Sequence, residues 1–161
     1  MMSLIDDFGA LYLASRLERL SETLKKDAVM IFKEHFSDIK YKWYPILYSV
    51  HTKSVISVVE LANELSYAHP TIIETLKEME EQKLIRSTVD KTDNRRRIIS
   101  LTAKGKKMIL RILPLTKAFE KAVIELMQSK HHLLRSIEEI ESKLREEIFF
   151  DRVNKIIKKS K

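Results

Sequence analysis

From residue 4 to about 36, apolar side chains recur at three- and four-residue intervals. Leu4, Phe8 and Leu11, then Leu17, Leu20 and Leu24, alternate with charged positions. That spacing predicts an amphipathic helix of more than average length, of the kind that packs on a partner. The pattern resets at FSDIKYKW. YKWYPILYSVHT then predicts a short aromatic helix with Pro45 in its first turn, where a missing N–H is tolerated. SVIS is a brief β-branched stretch. VVELANEL follows as one short helix, SY as a tight connection, and AHPTIIETLKEMEEQKL as a second helix with Pro70 near its start.

Two helices joined by so short a turn form a helix-turn-helix candidate. Leu61, Ala62 and Leu65 face inward from the first, and Ile72, Leu76 and Met79 from the second, at i, i+4 and i+7. Ala62 is small where crossing helices must approach closely. The same residues would also suit a plain helical hairpin in a bundle, and the next segment separates the two. LIRSTV and RRIISL are β-rich runs flanking the polar DKTDN, which predicts a hairpin with Asp and Asn in the turn. Helix, turn, helix and hairpin make a winged helix. Thr102 is a good N-cap for the long helix that follows, which Pro114 is expected to kink. A last apolar stripe, Leu133, Leu134, Ile137, Ile140, Leu144 and Ile148, predicts helix from about 131 to 158, ending in a basic, fraying terminus.

Composition narrows the function. Two glycines and three prolines in 161 residues argue against an all-β fold and leave no glycine-rich phosphate loop. The absence of cysteine removes disulfides, thiolate metal sites and thiol redox sensing. His35, His51, His69 and the pair His131–His132 have no spacing that converges on a metal, so neither an enzyme, a metal site nor a cofactor is expected. A net charge of +7 and a pI near 9.5 point to an anionic partner. The N-terminus carries acidic residues and no basic run ahead of an apolar one, and no apolar run approaches the ~20 residues of a membrane span. A cytoplasmic protein with no membrane partner is the expectation, the basic tail from Arg152 being read as a solvated terminus.

The combination VVELANEL, HPTIIETLKEMEEQKLI and DKTDNRRRIISLTAKG resembles the MarR family of bacterial winged-helix transcriptional regulators. Its most specific element is the wing: Asp90 and Asp93, then Arg95 to Arg97, closed by Leu101-Thr102 and Gly105. LASRLERLSETL, YKWYPILY and AHPTI further resemble the branch often joined to an acetyltransferase domain, which is not expected in a sequence ending at Lys161. The resemblance covers nearly the whole chain. It implies a mainly α fold, a winged helix-turn-helix with a two-stranded β wing flanked by N- and C-terminal dimerisation helices. Residues 1–36 would be the N-terminal dimerisation helix, 37–103 the DNA-binding region, and 104–161 the helices completing the dimerisation region of one structural domain.

What the resemblance implies for function is a homodimeric regulator on double-stranded DNA, each second helix in a major groove and each wing in the flanking minor groove. On matching positions Arg95 enters the minor groove and Asp93 braces it by a charge-assisted hydrogen bond. Arg96 and Arg97 alternate along a strand and cannot face the same groove, so one contacts phosphate while the other points away or pairs with an acidic neighbour. His69, Thr71 and Thr75 have the length and polarity for base edges, and Lys77 and Lys91 complete the DNA-binding set. The second helix departs from the family's basic pattern with Glu74, Glu78, Glu80 and Glu81. Glu74 can accept from cytosine N4, or Glu74 and Glu78 pair with nearby lysines. Ala68 holds the N-cap position, where a hydroxyl would usually cap. The acidity also admits a rival, a winged-helix protein-interaction module that meets a basic partner. Family effectors often bind between the dimerisation region and the winged helix. Phe8, Tyr12, Arg16, Trp43, Tyr44 and Tyr48 would line such a small-molecule pocket, or else be core.

Overall fold

The computed structural model describes residues 9–90, 93–94, 96–128 and 132–159. A 3-10 turn at Gly9–Tyr12 leads into α1 (Leu13–His35), and a second at Tyr41–Trp43 leads into α2 (Tyr44–Lys53). Then come β1 (Val55–Ser57), α3 (Val58–Leu65), α4 (His69–Glu81), β2 (Ile85–Val89) and β3 (Arg97–Leu101). Three helices follow: α5 (Ala103–Leu126), α6 (Leu133–Glu146) and α7 (Phe149–Lys159). The chain divides into two compact units, residues 1–113 and 114–161. Helix α5 runs through the division, which falls at Pro114.

The core of the first unit is built from the stripes the sequence displays. Ile46, Leu47 and Val50 of α2, Leu61 and Ala62 of α3, and Ile72, Leu76 and Met79 of α4 are buried, together with Ile99 of β3 and Ile109 and Ile112 of α5. Leu65 is half-buried. Phe32 closes the end of α1 against Phe36, Tyr41 and Tyr44, with ring centroids 5.4–6.0 Å apart. Arg111 reaches from α5 to grip Asp38 through two hydrogen bonds of 2.7 and 3.0 Å and lies over the Phe36 ring.

The sheet has three antiparallel strands in the order β1-β3-β2: β2 and β3 are the two-stranded wing expected, and β1 joins it as a third strand. SVIS supplies the third, pairing Val55 with Ser100, Ile56 with Ile99 and Ser57 with Ile98. β2 pairs with β3 from Ile85↔Leu101 to Val89↔Arg97. A three-residue strand whose partner lies some forty residues downstream carries no hairpin signal of its own, so only its β-branched character was visible in the sequence.

In the second unit α6 and α7 contain no buried residue. The single helix expected over about 131–158 is broken at Glu147 and Ile148. Glu147 is extended (φ −149°, ψ 118°), and Arg152 folds back to donate to the carbonyls of Glu147 (3.1 Å) and Lys143 (2.6 Å). The Lys143 carbonyl also keeps its helical bond from the Glu147 N–H (3.1 Å), while the Glu147 carbonyl, which a continuing helix would use, is taken by the guanidinium. Among the described residues no helix is long and apolar enough to cross a membrane.

Candidate nucleic-acid interface

The helix-turn-helix is held together by local chemistry. Ser57 and Glu60 form a capping box at the start of α3. The Ser57 Oγ accepts from the Glu60 N–H (3.2 Å), while Glu60 Oε2 accepts from the Ser57 N–H (2.9 Å) and hydroxyl (2.6 Å). Those two bonds, and then Arg96, hold the Glu60 carboxyl below the usual carboxylate range. Helix α3 ends at Ser66 in the left-handed region (φ 51°), with Ser66 N–H donating to Asn63 O and Tyr67 N–H to Ala62 O. Ala68 is the N-cap of α4 and offers no side-chain cap, and Pro70 sits in the first turn. The start of α4 therefore presents uncapped backbone N–H groups, which suit an anion.

Around α4 the inward face is Ile72, Thr75, Leu76 and Met79. Thr75 was expected at a base edge; it is 6% exposed and its hydroxyl donates to the Thr71 carbonyl at 2.8 Å, so it belongs to the core. Its position, three residues after Ile72, puts it in the buried stripe despite its polarity. His69, Thr71, Ile73, Glu74 and Lys77 are exposed on the outward face. Ile73 was not singled out from the sequence, because next to Ile72 it reads as part of one apolar pair.

The acidity of α4 is partly neutralised within the chain. Glu78 turns toward the 3-10 turn before α2 and receives Lys40, Lys42 (2.5 Å) and the Trp43 indole N–H (3.2 Å). Lys40 first, then Lys42 and Trp43, pull its carboxyl from 4.5 down to about 2. A depressed carboxylate adds stability that is fully present above about pH 4.5 and disappears as pH falls toward 2. The lysines are exposed and solvent screens the pair, so the contribution is about 1 kcal/mol. Glu78→Gln should accordingly lose stability at neutral pH and show a flatter decline between pH 5 and 3 than the unaltered chain. Urea unfolding followed by fluorescence of Trp43, the single tryptophan, measures both. Parallel declines for the two proteins would contradict it. Glu80 faces Arg97 at 3.7 Å. Among the described residues no hydrogen bond or ion pair engages Glu74, so of the two lysine pairings expected, Glu78 makes one and Glu74 does not.

The wing is tied to both helices. Asp90 N–H donates to Arg96 O and Arg96 N–H to Asp93 O, each at 2.9 Å, closing the turn end of the hairpin. The Arg96 guanidinium lies 3.1 Å from Glu60 of α3. Arg97 donates through Nε to Ser87 of β2 (2.9 Å) and faces Glu80 of α4. The two arginines diverge, as strand alternation requires, and each has a carboxylate partner. Both remain largely exposed. Lys91 and Arg95 lie outside the described residues, and with Arg95 the bracing role expected of Asp93.

Of the effector set, Phe8 also lies outside the described residues. Trp43 is buried and bonded to Glu78, and Tyr44 packs on Phe32 and on the more exposed Tyr48, with ring centroids 6.0 and 5.8 Å away. Trp43 thus belongs to the core, with half-buried Tyr44 at its edge. Arg16, four residues after Tyr12, lines a shallow hollow on α1 with Leu13, Leu17 and Leu20.

No family model and no curated protein matches the sequence. Solved structures do. The transcriptional regulator BldR from Sulfolobus solfataricus is 21% identical over 88% of this chain and 99% of its own, with a TM-score of 0.70. MepR of S. aureus, solved as a DNA complex, is 22% identical over 83% and 93%, with a TM-score of 0.62. A mutant MarR from E. coli complexed with operator DNA is 16% identical over 89% and 99%, with a TM-score of 0.65. At such identities the likeness is one of fold, and the chain has the winged-helix fold of the MarR-type regulators.

Proposed function

We propose that the protein is a sequence-specific DNA-binding transcriptional regulator that acts as a homodimer. The observation that carries the reading is the wing tied by Arg96–Glu60 to α3 and by Arg97–Glu80 to α4. These bonds make helix pair and wing one reading head, with the uncapped start and outward face of α4 open to a groove. MepR and MarR, with the same fold, were solved on DNA. Pairing of Glu78 and Glu80 removes half of the acidity on which the protein-interaction rival depended. Duplexes recovered from a random-sequence pool test the reading: a shared motif is expected, and recovery of unrelated sequences would refute it.

The dimer rests on exposed apolar faces. Leu13, Leu17, Leu20 and Leu24 form an exposed line along α1, and α6 and α7 expose Leu134, Ile140, Phe149, Phe150 and Ile156. Helices that bury nothing of their own gain stability from a partner, and contiguous apolar patches of this kind mark interfaces. Leu20→Glu is expected to shift the sedimentation profile from dimer toward monomer. An unchanged dimer would place the interface elsewhere. A small-molecule effector belongs to the same reading. Half-sites on one face of DNA recur at ~10 base pairs, so a ligand that altered the spacing of the two reading heads would release the operator.

A further inference from the structure

We infer that Ile73 is a specificity-determining residue that reads a thymine methyl group in the major groove of each half-site. The inference rests on the DNA-binding reading and adds a base identity to it. Ile73 is 45% exposed although Ile72 beside it is fully buried. The inward stripe is already filled by Ile72, Leu76 and Met79, so one residue further round the helix Ile73 projects outward. There it stands in line with His69 and Lys77, four residues before and after it on the same face. A β-branched apolar side chain on an exposed helical face gives neither helix propensity nor solubility. Contact with something apolar in the groove accounts for it, and the thymine C5-methyl is the apolar group that a duplex displays there. The surroundings offer few charged contacts to bases. Lys77 is the one lysine of α4, which has no arginine, and Glu74 is repelled by the phosphates that line the groove. Discrimination by α4 is therefore shared between the apolar contact of Ile73 and the polar side chains His69 and Thr71.

The test uses the full-length protein and the duplex recovered from the random pool. Each thymine is replaced in turn by deoxyuridine, which removes only the methyl group. For one thymine per half-site the unaltered protein should lose about fourfold in affinity, the worth of one buried methyl-sized group. Ile73→Ala should lose at least as much on the thymine duplex and be indifferent to deoxyuridine at that position alone. Because Ile73 is exposed, the variant should melt with the unaltered protein, which a thermal scan checks. If Ile73→Ala responds to every replacement as the unaltered protein does, while specific binding persists, the assignment of Ile73 is overturned and the regulator reading stands. If the pool yields no preferred duplex, the regulator reading fails and the assignment with it.

Discussion

Gly105→Ala should destabilise the winged-helix unit by about 3 kcal/mol, a large share of the stability of a domain this size. In an ordinary helix the same change would stabilise by up to about 1 kcal/mol, because alanine is the better helix former. The sign reverses here because a Cβ at Gly105 would lie 2.0 Å from the Leu84 carbonyl oxygen and 3.0 Å from its carbon. Neither side can retreat easily. The Thr102 hydroxyl donates its one proton to the Lys83 carbonyl (2.6 Å) and lies 3.1 Å from the Leu84 carbonyl, to which the Thr102 N–H donates (3.0 Å). The same hydroxyl accepts from the Gly105 N–H at 3.1 Å. These bonds pin the start of α5 to the segment leaving α4, so the obstacle is backbone rather than a flexible side chain. Urea unfolding measures the difference, and an equal or higher midpoint for the alanine variant would contradict the packing described.

The second large effect is expected on DNA. Arg95→Ala should weaken binding to the selected duplex by at least about tenfold, while Arg96→Ala and Arg97→Ala cost less. The ranking follows from what engages Arg96 and Arg97 and from the role that the family motif gives Arg95. Arg96 is engaged by Glu60 and Arg97 by Ser87 and Glu80, so each acts mainly by positioning the wing. Arg95 is the position that the family motif puts in the minor groove, where a planar and weakly hydrated guanidinium loses water at less cost than an ammonium. Anisotropy titrations of the three variants on one duplex give the order. A larger loss for Arg96 or Arg97 would reverse the roles assigned to the wing.

Much of this arrangement is legible in the sequence because it depends on local periodicity. VVELANEL coincides with α3, and AHPTIIETLKEMEEQKL contains α4, since inward apolar positions and the proline mark them directly. What was not legible depends on contacts between distant residues. Glu60 with Arg96, Glu78 with Lys40 and Lys42, and β1 with β3 each join positions more than thirty residues apart. Glu78 looked like an obstacle to DNA because its partners were hidden in this way. Thr75 is a different case: its polarity suggested a groove, while its angular position, set by the same local periodicity, made it core. Gly105 lies between the two cases, marked by the LTAKG motif but explained only by the Leu84 carbonyl above it.

The central claim, sequence-specific recognition of DNA, is tested most directly by titrating the protein against the selected duplex and an unrelated one of equal length over a range of salt. Log affinity should fall linearly with log salt, with a slope of roughly −0.9 per phosphate neutralised. The selected duplex should stay tighter by a factor on the order of 10³ or more throughout. Equal affinity for the two duplexes at every salt concentration, or no binding to either at the lowest, would contradict it.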